Sequence, residues 1–444
     1  MNILEKSLRM LEEYSLCDHC LGRQFALLGH NMENNERGCA IKLALTLEAH
    51  NFALSKSKEG IKNLKILAAK GFSEKAAKIL QKMRKYVSSK SLPEKCFLCE
   101  DRFEKAEGLA RNALEQLEGY EHTSFLVGIE LPVAVEERED EFKAKFDIGY
   151  SENMRNEFGR VIGKKIAECS GTIADYKKPE VVVLVNPFTE EMRLQINPLF
   201  IAGYYKKLIR GIPQSRWFCS NCRGKGCKKC NWTGQMYPES VEELIAKPTL
   251  DLTSGTKVSL HASGREDIDA RMLGRGRPFV IEVTKPQRRF LNLEKLEENV
   301  NIHAKGKVEV SNLRFVDKSF VRKLKKAESS QKEYRVMVEF EHKIGVEDLN
   351  LLEKKLTNVM VKQKTPLRVV HRRADLMREK YIYEVKVKKL SPKKGRMWIR
   401  CQGGLYVKEL VTGDEGRTTP SVSEILQNKA KPMKLDVLNV IMED

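Results

Sequence analysis

The sequence predicts a multidomain α+β protein: a helical N-terminal region, a small α/β domain, and a C-terminal domain built on a mixed, largely antiparallel sheet. Three patterns lead there. Apolar residues recur at helical spacing through the first 115 positions, strand-like and helix-like segments alternate from about 120 to 215, and period-two alternation dominates after 236. A short run dense in Cys and Gly separates the last two regions, giving segments 1–115, 116–215, 216–235 and 236–444.

The opening MNILEKSLRMLEEYSL reads as an amphipathic helix carrying acidic residues, not as a signal peptide. Between Lys56 and Lys95 there are 12 basic and 3 acidic residues, with Ile61, Leu64, Ile66, Leu67, Ile79 and Leu80 at approximate helical spacing. This stretch fits a helix pair with a solvated face and, equally, an RNA-facing surface. Further on, SFLVGIELP, VVVLVNP and MRLQI read as strands. GRVIGKKIAEC reads as a helix with Phe158, Val161, Ile162, Ile166 and Cys169 on one face and Arg160, Lys164 and Lys165 opposite. In the C-terminal domain, EYRVMVEF places Tyr334, Val336, Val338 and Phe340 on one face, and YIYEVKVK places Tyr381, Tyr383, Val385 and Val387 likewise. Helices are expected on one side of that sheet.

Charge narrows the class. Lys plus Arg exceed Asp plus Glu by 80 − 61 = 19, and the sequence pI is about 9.3. Such a surplus suits a polyanion, because phosphates release counterions when Lys and Arg approach. The longest uncharged run, Leu194 to Tyr205, is far short of the ~18 apolar residues that a membrane span needs. The expectation is a cytoplasmic protein with no membrane partner, acting as a monomer, whose 11 cysteines serve as thiolates rather than disulfides.

Cys17-Asp-His-Cys20 and Cys96-Phe-Leu-Cys99 form two CxxC turns. Each turn sets two thiolates about one tetrahedral edge apart, and two turns complete a four-thiolate zinc shell. Cys219, Cys222, Cys227 and Cys230 in CSNCRGKGCKKC form a second set, with Gly224 and Gly226 permitting the reversal between the pairs. A closed four-thiolate shell leaves no open coordination position, so both sites are expected to be structural.

The segment HASGREDIDARMLGRGRPFVIEVTKPQRR, from His261 to Arg289, sets seven cations around Glu266, Asp267, Asp269 and Glu282. Acids inside an Arg cluster stay ionised near neutral pH, which suits a carboxylate nucleophile; a salt-bridged surface loop gives the same charge pattern. The segment SGREDIDARMLGRGRPF resembles the signature of the Pus-ten family of tRNA pseudouridine synthases in its archaeal form. CDHCLGRQFALLGHNMENNERG resembles the opening zinc segment of that family, and GRVIGKKIAE with INPLFIAGYYKKLIRGIPQSRW resembles its THUMP-type RNA-binding region. KEYRV, KTPLRVVHRRADLMREKYIYEV and GGLYVKELVTGDEGRTTPSV resemble its catalytic motifs, so the likeness runs in order from about residue 15 to the C-terminus.

The resemblance implies a THUMP-like domain over 116–215 and a pseudouridine synthase domain over 236–444. Carried over position by position, it implies Asp267 as catalytic nucleophile, with Asp269 two residues away as the competing choice, and Tyr334 as the tyrosine that stacks on uracil. Tyr406 becomes a second pocket tyrosine, Lys408 the basic partner of the aspartate, and Val407 and Leu435 apolar pocket residues. Arg265 is expected to fill the space left by the base or to hold a phosphate. The implied reaction turns uridine into pseudouridine at T-loop positions 54 and 55 of tRNA, with no organic cofactor because nothing is oxidised or donated. Arg160, Lys164, Lys165, Lys206, Lys207 and Arg210 are the candidates for gripping the RNA. THUMP-like regions also occur in tRNA methyltransferases and thiolation enzymes, but no Gly-rich loop follows a strand in 236–444. A non-catalytic RNA-binding protein or tRNA chaperone on the same fold is the alternative.

Overall fold

The computed structural model describes residues 2–85, 95–326 and 330–441. The chain divides into two compact units, Met1–Asn197 and Pro198–Asp444.

The first unit begins with the expected amphipathic helix, Ile3–Glu13, which buries Met10 and Leu11. Asn2 and Glu5 close a reciprocal cap on it, satisfying amides that the first turn leaves without partners. The long helix Asn34–Leu54 follows, and the basic stretch folds as helices Lys58–Ala69 and Glu74–Lys82. Leu64, Leu67 and Leu80 carry the buried face of that pair, while positions 86–94 of the basic stretch lie outside the described residues. A four-stranded sheet completes the unit in the order Ile173–Ala174, Ser124–Ile129, Val181–Val185, Met192–Ile196. Only the last pairing is antiparallel. Helix Met154–Ser170 buries Phe158, Ile162 and Ile166 as expected, but Cys169 is exposed in its last turn, beside the left-handed Gly171 that ends the helix.

The second unit is built on a ten-stranded sheet. From one edge the order is Thr418–Thr419, Val359–Lys364, Met377–Ser391, Lys394–Gln402, Gln331–Phe340, Ala430–Val440, Arg271–Thr284, Leu199–Lys207 and Val308–Val316, with Lys257–Ala262 pairing the far end of Arg271–Thr284. Only Ala430–Val440 against Arg271–Thr284 is parallel, so the sheet is mixed and largely antiparallel as expected. The segment expected to end the RNA-binding domain at 215 is divided. Leu199–Lys207 hydrogen-bonds between two strands of the larger sheet, and this pairing, not the proximity of MRLQI in sequence, decides where it belongs.

Helices lie on both faces, not one. Leu199–Lys207 alternates: Ile201 and Tyr205 enter the core shared with helices Val241–Thr253 and Leu293–His303, while Phe200 and Ala202 face Val321 and Leu324 of helix Lys318–Lys326. Helices Val346–Leu356, Val407–Thr412 and Val422–Leu426 cover the other half of the sheet, over Val336, Val338, Phe340 and Met397. The alternation expected for YIYEVKVK slips. A bulge between Ile382 and Glu384 adds a residue, so Ile382 and Val385 are buried and Tyr381 and Tyr383 stay half-buried.

Candidate active site

The acid–Arg segment forms a loop, 263–270, between strands Lys257–Ala262 and Arg271–Thr284. A buried polar network holds that loop from beneath. Glu266 accepts from Tyr205 Oη at 3.0 Å and from Arg277 Nε at 2.9 Å. Arg277 also donates to the carbonyl of Ser263 at 2.6 Å, and Gln214 donates to Gly264 O at 3.1 Å and to Tyr205 Oη at 2.6 Å. The Lys207 ammonium, wholly buried, donates to the carbonyls of Ile212, Asp267 and Ile268 at 3.0–3.2 Å. Burial disfavours that charge and lowers the pKa of Lys207, and Glu266 at 3.9 Å opposes the effect. Gly264 is left-handed, with φ of +75°, and a Cβ there would come within 2.8 Å of Lys332 Nζ. The left-handed φ favours glycine at that turn, and the Lys332 ammonium would have to move for any side chain there.

Held in this way, Asp267 extends its carboxylate toward two cations: Lys408 Nζ at 3.1 Å and Arg368 Nη2 at 3.3 Å. Burial pushes the carboxyl pKa up, but Arg368 and Lys408 together outweigh burial and hold it below the ordinary carboxylate range. The group is therefore ionised at neutral pH. Lys408 stands on helix Val407–Thr412 and reaches Asp269 as well, at 2.7 Å. Arg368 is itself oriented by buried Glu409, which accepts from its Nε at 2.7 Å.

Asp267 lines a cleft of about 300 Å³ with Tyr334, Tyr406, Val407, Lys408, Leu435 and Arg265. Every residue expected at the substrate pocket is thus brought to one cavity. Asp269, the competing acid, is not among its walls and has a side chain 68% exposed, against 36% for Asp267. Tyr334 comes from strand Gln331–Phe340, and burial, followed by nearby Cys401, raises its phenol pKa, so it remains a neutral ring. The Tyr406 backbone is fixed by Gln363 through both its N–H (2.9 Å) and its carbonyl (3.1 Å), and its hydroxyl accepts from Arg373 at 3.0 Å. Sequence reasoning missed Arg368, Arg373 and Glu409. Arg368 and Arg373 stand in the KTPLRVVHRRAD stretch and Glu409 in LYVKEL, both within segments that resemble catalytic motifs of the family, and the cation density of the first was a further signal.

Two family models match the chain: "Pus10 THUMP domain, archaeal" over residues 109–186 and "Pus10, C-terminal" over 200–441. The protein named tRNA pseudouridine synthase Pus10 of Methanocaldococcus jannaschii is 45% identical, across 97% of this chain and 93% of its own. Its namesake from Methanothrix thermoacetophila is 40% identical across 99% and 94%. The chain belongs to the Pus10 family of tRNA pseudouridine synthases. Likeness to solved structures is slight: a pseudouridylate synthase overlaps 55% of this chain and 68% of its own at 12% identity and a TM-score of 0.21.

This Pus10-family chain also assembles both cysteine sets. Cys17, Cys20, Cys96 and Cys99 bring their sulfurs within 4.8 Å of one another, as do Cys219, Cys222, Cys227 and Cys230. Sulfur pairs at 3.6 Å (Cys17–Cys99) and 3.8 Å (Cys219–Cys227 and Cys222–Cys230) approach the edge of a tetrahedron with metal–sulfur bonds of about 2.3 Å, which is roughly 3.8 Å. Backbone amides point at the sulfurs, among them Gly226 N to Cys222 and Gly234 N to Cys230, both at 3.2 Å, as suits thiolate ligands. Both groups can hold a metal ion.

The expected RNA-gripping cations fare differently. Lys207 is a correction: with its side chain wholly buried under loop 263–270, it cannot reach a phosphate. Arg210 is engaged with Asp436 at 2.5 Å and with the carbonyl of Asp269 at 2.7 Å. Arg160 is held by Glu152 at 2.7 Å and by Glu157, Lys164 pairs with Glu33, and Lys206 pairs with Glu309 at 2.7 Å. Lys165 makes no ion pair among the described residues.

Proposed function

We propose that this enzyme isomerises uridines 54 and 55 in the T loop of tRNA, with Asp267 as the nucleophile. The observation that carries the reading is the ionised Asp267 carboxylate beside Lys408 and Arg368, in a cleft walled by Tyr334, Tyr406, Val407 and Leu435. The target base must leave its stack, which costs a few kcal/mol. Stacking on Tyr334 returns about 1–3 kcal/mol of that, and Val407 and Leu435 exclude water from the ring. The reaction breaks the C1′–N1 bond, turns the uracil, joins its C5 to C1′ and moves the C5 proton, so no atom enters or leaves. Asp267 attacks or stabilises the electron-poor carbon, and Lys408 and Arg368 keep it anionic until it does so. Arg265, exposed at the rim, meets the phosphate backbone.

Zinc is the ion proposed for both four-cysteine sites, since tetrahedral thiolate shells of this size select it. The enzyme is placed in the cytoplasm, where thiolates stay reduced.

The test is to incubate unmodified tRNA transcript with the purified protein and map pseudouridine. The wild type should convert positions 54 and 55. Asp267→Ala should keep its RNA affinity and lose roughly 10³-fold or more of its rate. If Asp267→Ala formed product at the wild-type rate, the assignment would be wrong.

A further inference from the structure

Asp267 stands between two cavities. Besides the 300 Å³ cleft, its other flank borders a smaller one of about 180 Å³. The smaller cavity is walled by Pro213, Trp217, Arg265, Asp269 and Lys408 as well as by Asp267 itself. The Trp217 ring is half-buried, braced edge-on by Tyr237 with centroids 5.8 Å apart at 79°, and faced by the Arg265 guanidinium 5.8 Å from its centroid. Three cations line both cavities. Arg368 and Lys408 are tied to carboxylates, whereas exposed Arg265 has no carboxylate partner among the described residues.

An aromatic face beside an uncommitted guanidinium is the pairing that nucleic-acid-binding proteins use for a base and its phosphate. We propose that this second cavity binds the nucleotide adjacent to the target uridine, with Trp217 stacking on its base and Arg265 meeting the phosphate between the two nucleotides. The proposal rests on the pseudouridine synthase reading and deepens it. Once the target base has left the stack, its neighbour loses a stacking partner, and Trp217 replaces it within reach of the reacting carbon. The second cysteine set gains a purpose from this. Trp217 lies two residues before Cys219, its carbonyl accepts from Met236 N at 2.9 Å, and Phe218 bridges Gln235, so the closed knuckle pins the segment carrying the ring.

The test compares wild type, Trp217→Ala and Trp217→Phe in the full-length protein, on tRNA transcripts that are intact or abasic at the nucleotide 5′ or 3′ of the target. Trp217→Ala should raise KM for intact tRNA by roughly 5- to 100-fold with little change in kcat, and Trp217→Phe should restore most of the loss. An abasic site at one flank should penalise wild type by a similar factor yet cost Trp217→Ala less than about twofold, because the interaction is already gone. A second measurement does not depend on any variant folding: 2-aminopurine at that flank should be quenched on binding to wild type. Equal abasic penalties in wild type and Trp217→Ala, or no quenching at either flank, overturn the subsite. Wild type that forms no pseudouridine in intact tRNA overturns the function reading instead.

Discussion

Asp436 is the clearest place to test how the sheet holds the site together. It lies between the cleft residues Leu435 and Val437, and three arginines converge on it: Arg210 at 2.5 Å, Arg271 at 2.9 Å and Arg335 at 2.9 Å. Burial raises its pKa, but the hydrogen bonds from Arg271 and Arg335 and the charge of Arg210 prevail and bring it down to about 2, from 3.8. Because the folded carboxyl titrates below the unfolded one, its stabilisation is whole above about pH 4 and fades as pH falls toward 2. The shift corresponds to about 2 kcal/mol at pH 7 and about 1 kcal/mol at pH 3. Asp436→Asn keeps the shape and removes the charge. The three guanidiniums keep 26–34% side-chain exposure, so water solvates them in the variant and the loss stays near about 2 kcal/mol rather than the ~3–5 of a fully buried pair. All three tryptophans, Trp217, Trp232 and Trp398, lie in the second unit, so fluorescence during urea unfolding reports that unit alone. A variant within about 0.5 kcal/mol of wild type at pH 7, or a deficit that persists undiminished at pH 3, would refute the reasoning.

Lys207→Met leaves the buried Ile212 carbonyl without its donor and takes a second donor from the carbonyls of Asp267 and Ile268, and should cost about 1–3 kcal/mol in the same unfolding experiment, with kcat falling more than KM rises because the Asp267 backbone loosens. Unchanged kcat in a folded variant would show that the network does not position Asp267. Lys408→Met removes one of the two cations that depress Asp267, so the acid limb of the rate profile should move to higher pH; an unmoved limb would separate the two groups. Full-length protein should carry two zinc ions per chain by elemental analysis, and Cys96→Ser should remove one of them and lower the melting temperature.

Much of the site was legible because its chemistry is local in sequence. Asp267 and Tyr334 were legible through short motifs, SGREDIDARMLGRGRPF and KEYRV, that resemble those of the Pus-ten family; charge pattern and strand alternation alone fit a salt-bridged loop and a core-facing ring. The cysteine pairs were legible for the same reason, each being one turn long. What escaped depended on long-range pairing. Leu199–Lys207 follows MRLQI closely, yet its partners are Arg271–Thr284 and Val308–Val316, so neither the domain boundary nor the burial of Lys207 can be read locally. A lysine between Lys206 and Leu208 looks solvated until the strand pairing turns it under the loop. The bulge at Tyr383 is likewise invisible to a period-two count, because one inserted residue reverses the faces that follow.

The fate of the cations bears on how RNA is recognised. Net charge of +19 counts every lysine and arginine equally, but the structure distributes them between two tasks. Arg160, Lys164, Lys206, Lys207 and Arg210 are spent on internal carboxylates or carbonyls, as are Arg277, Arg271 and Arg335. A cation already hydrogen-bonded to a carboxylate gains little from a phosphate, since the new interaction must break the old one. Helix Lys318–Lys326 is different: Lys318, Arg322, Lys323 and Lys325 are all exposed, and no acid lies within it. The salt dependence of tRNA binding should therefore fall far more on replacing Arg322 and Lys323 with Gln than on replacing Lys164 and Lys206. The slope of log affinity against log salt should drop by about one for each phosphate that is no longer neutralised. Equal effects from the two pairs would mean that the internal ion pairs open on binding, and that the free protein's carboxylates act as placeholders for RNA.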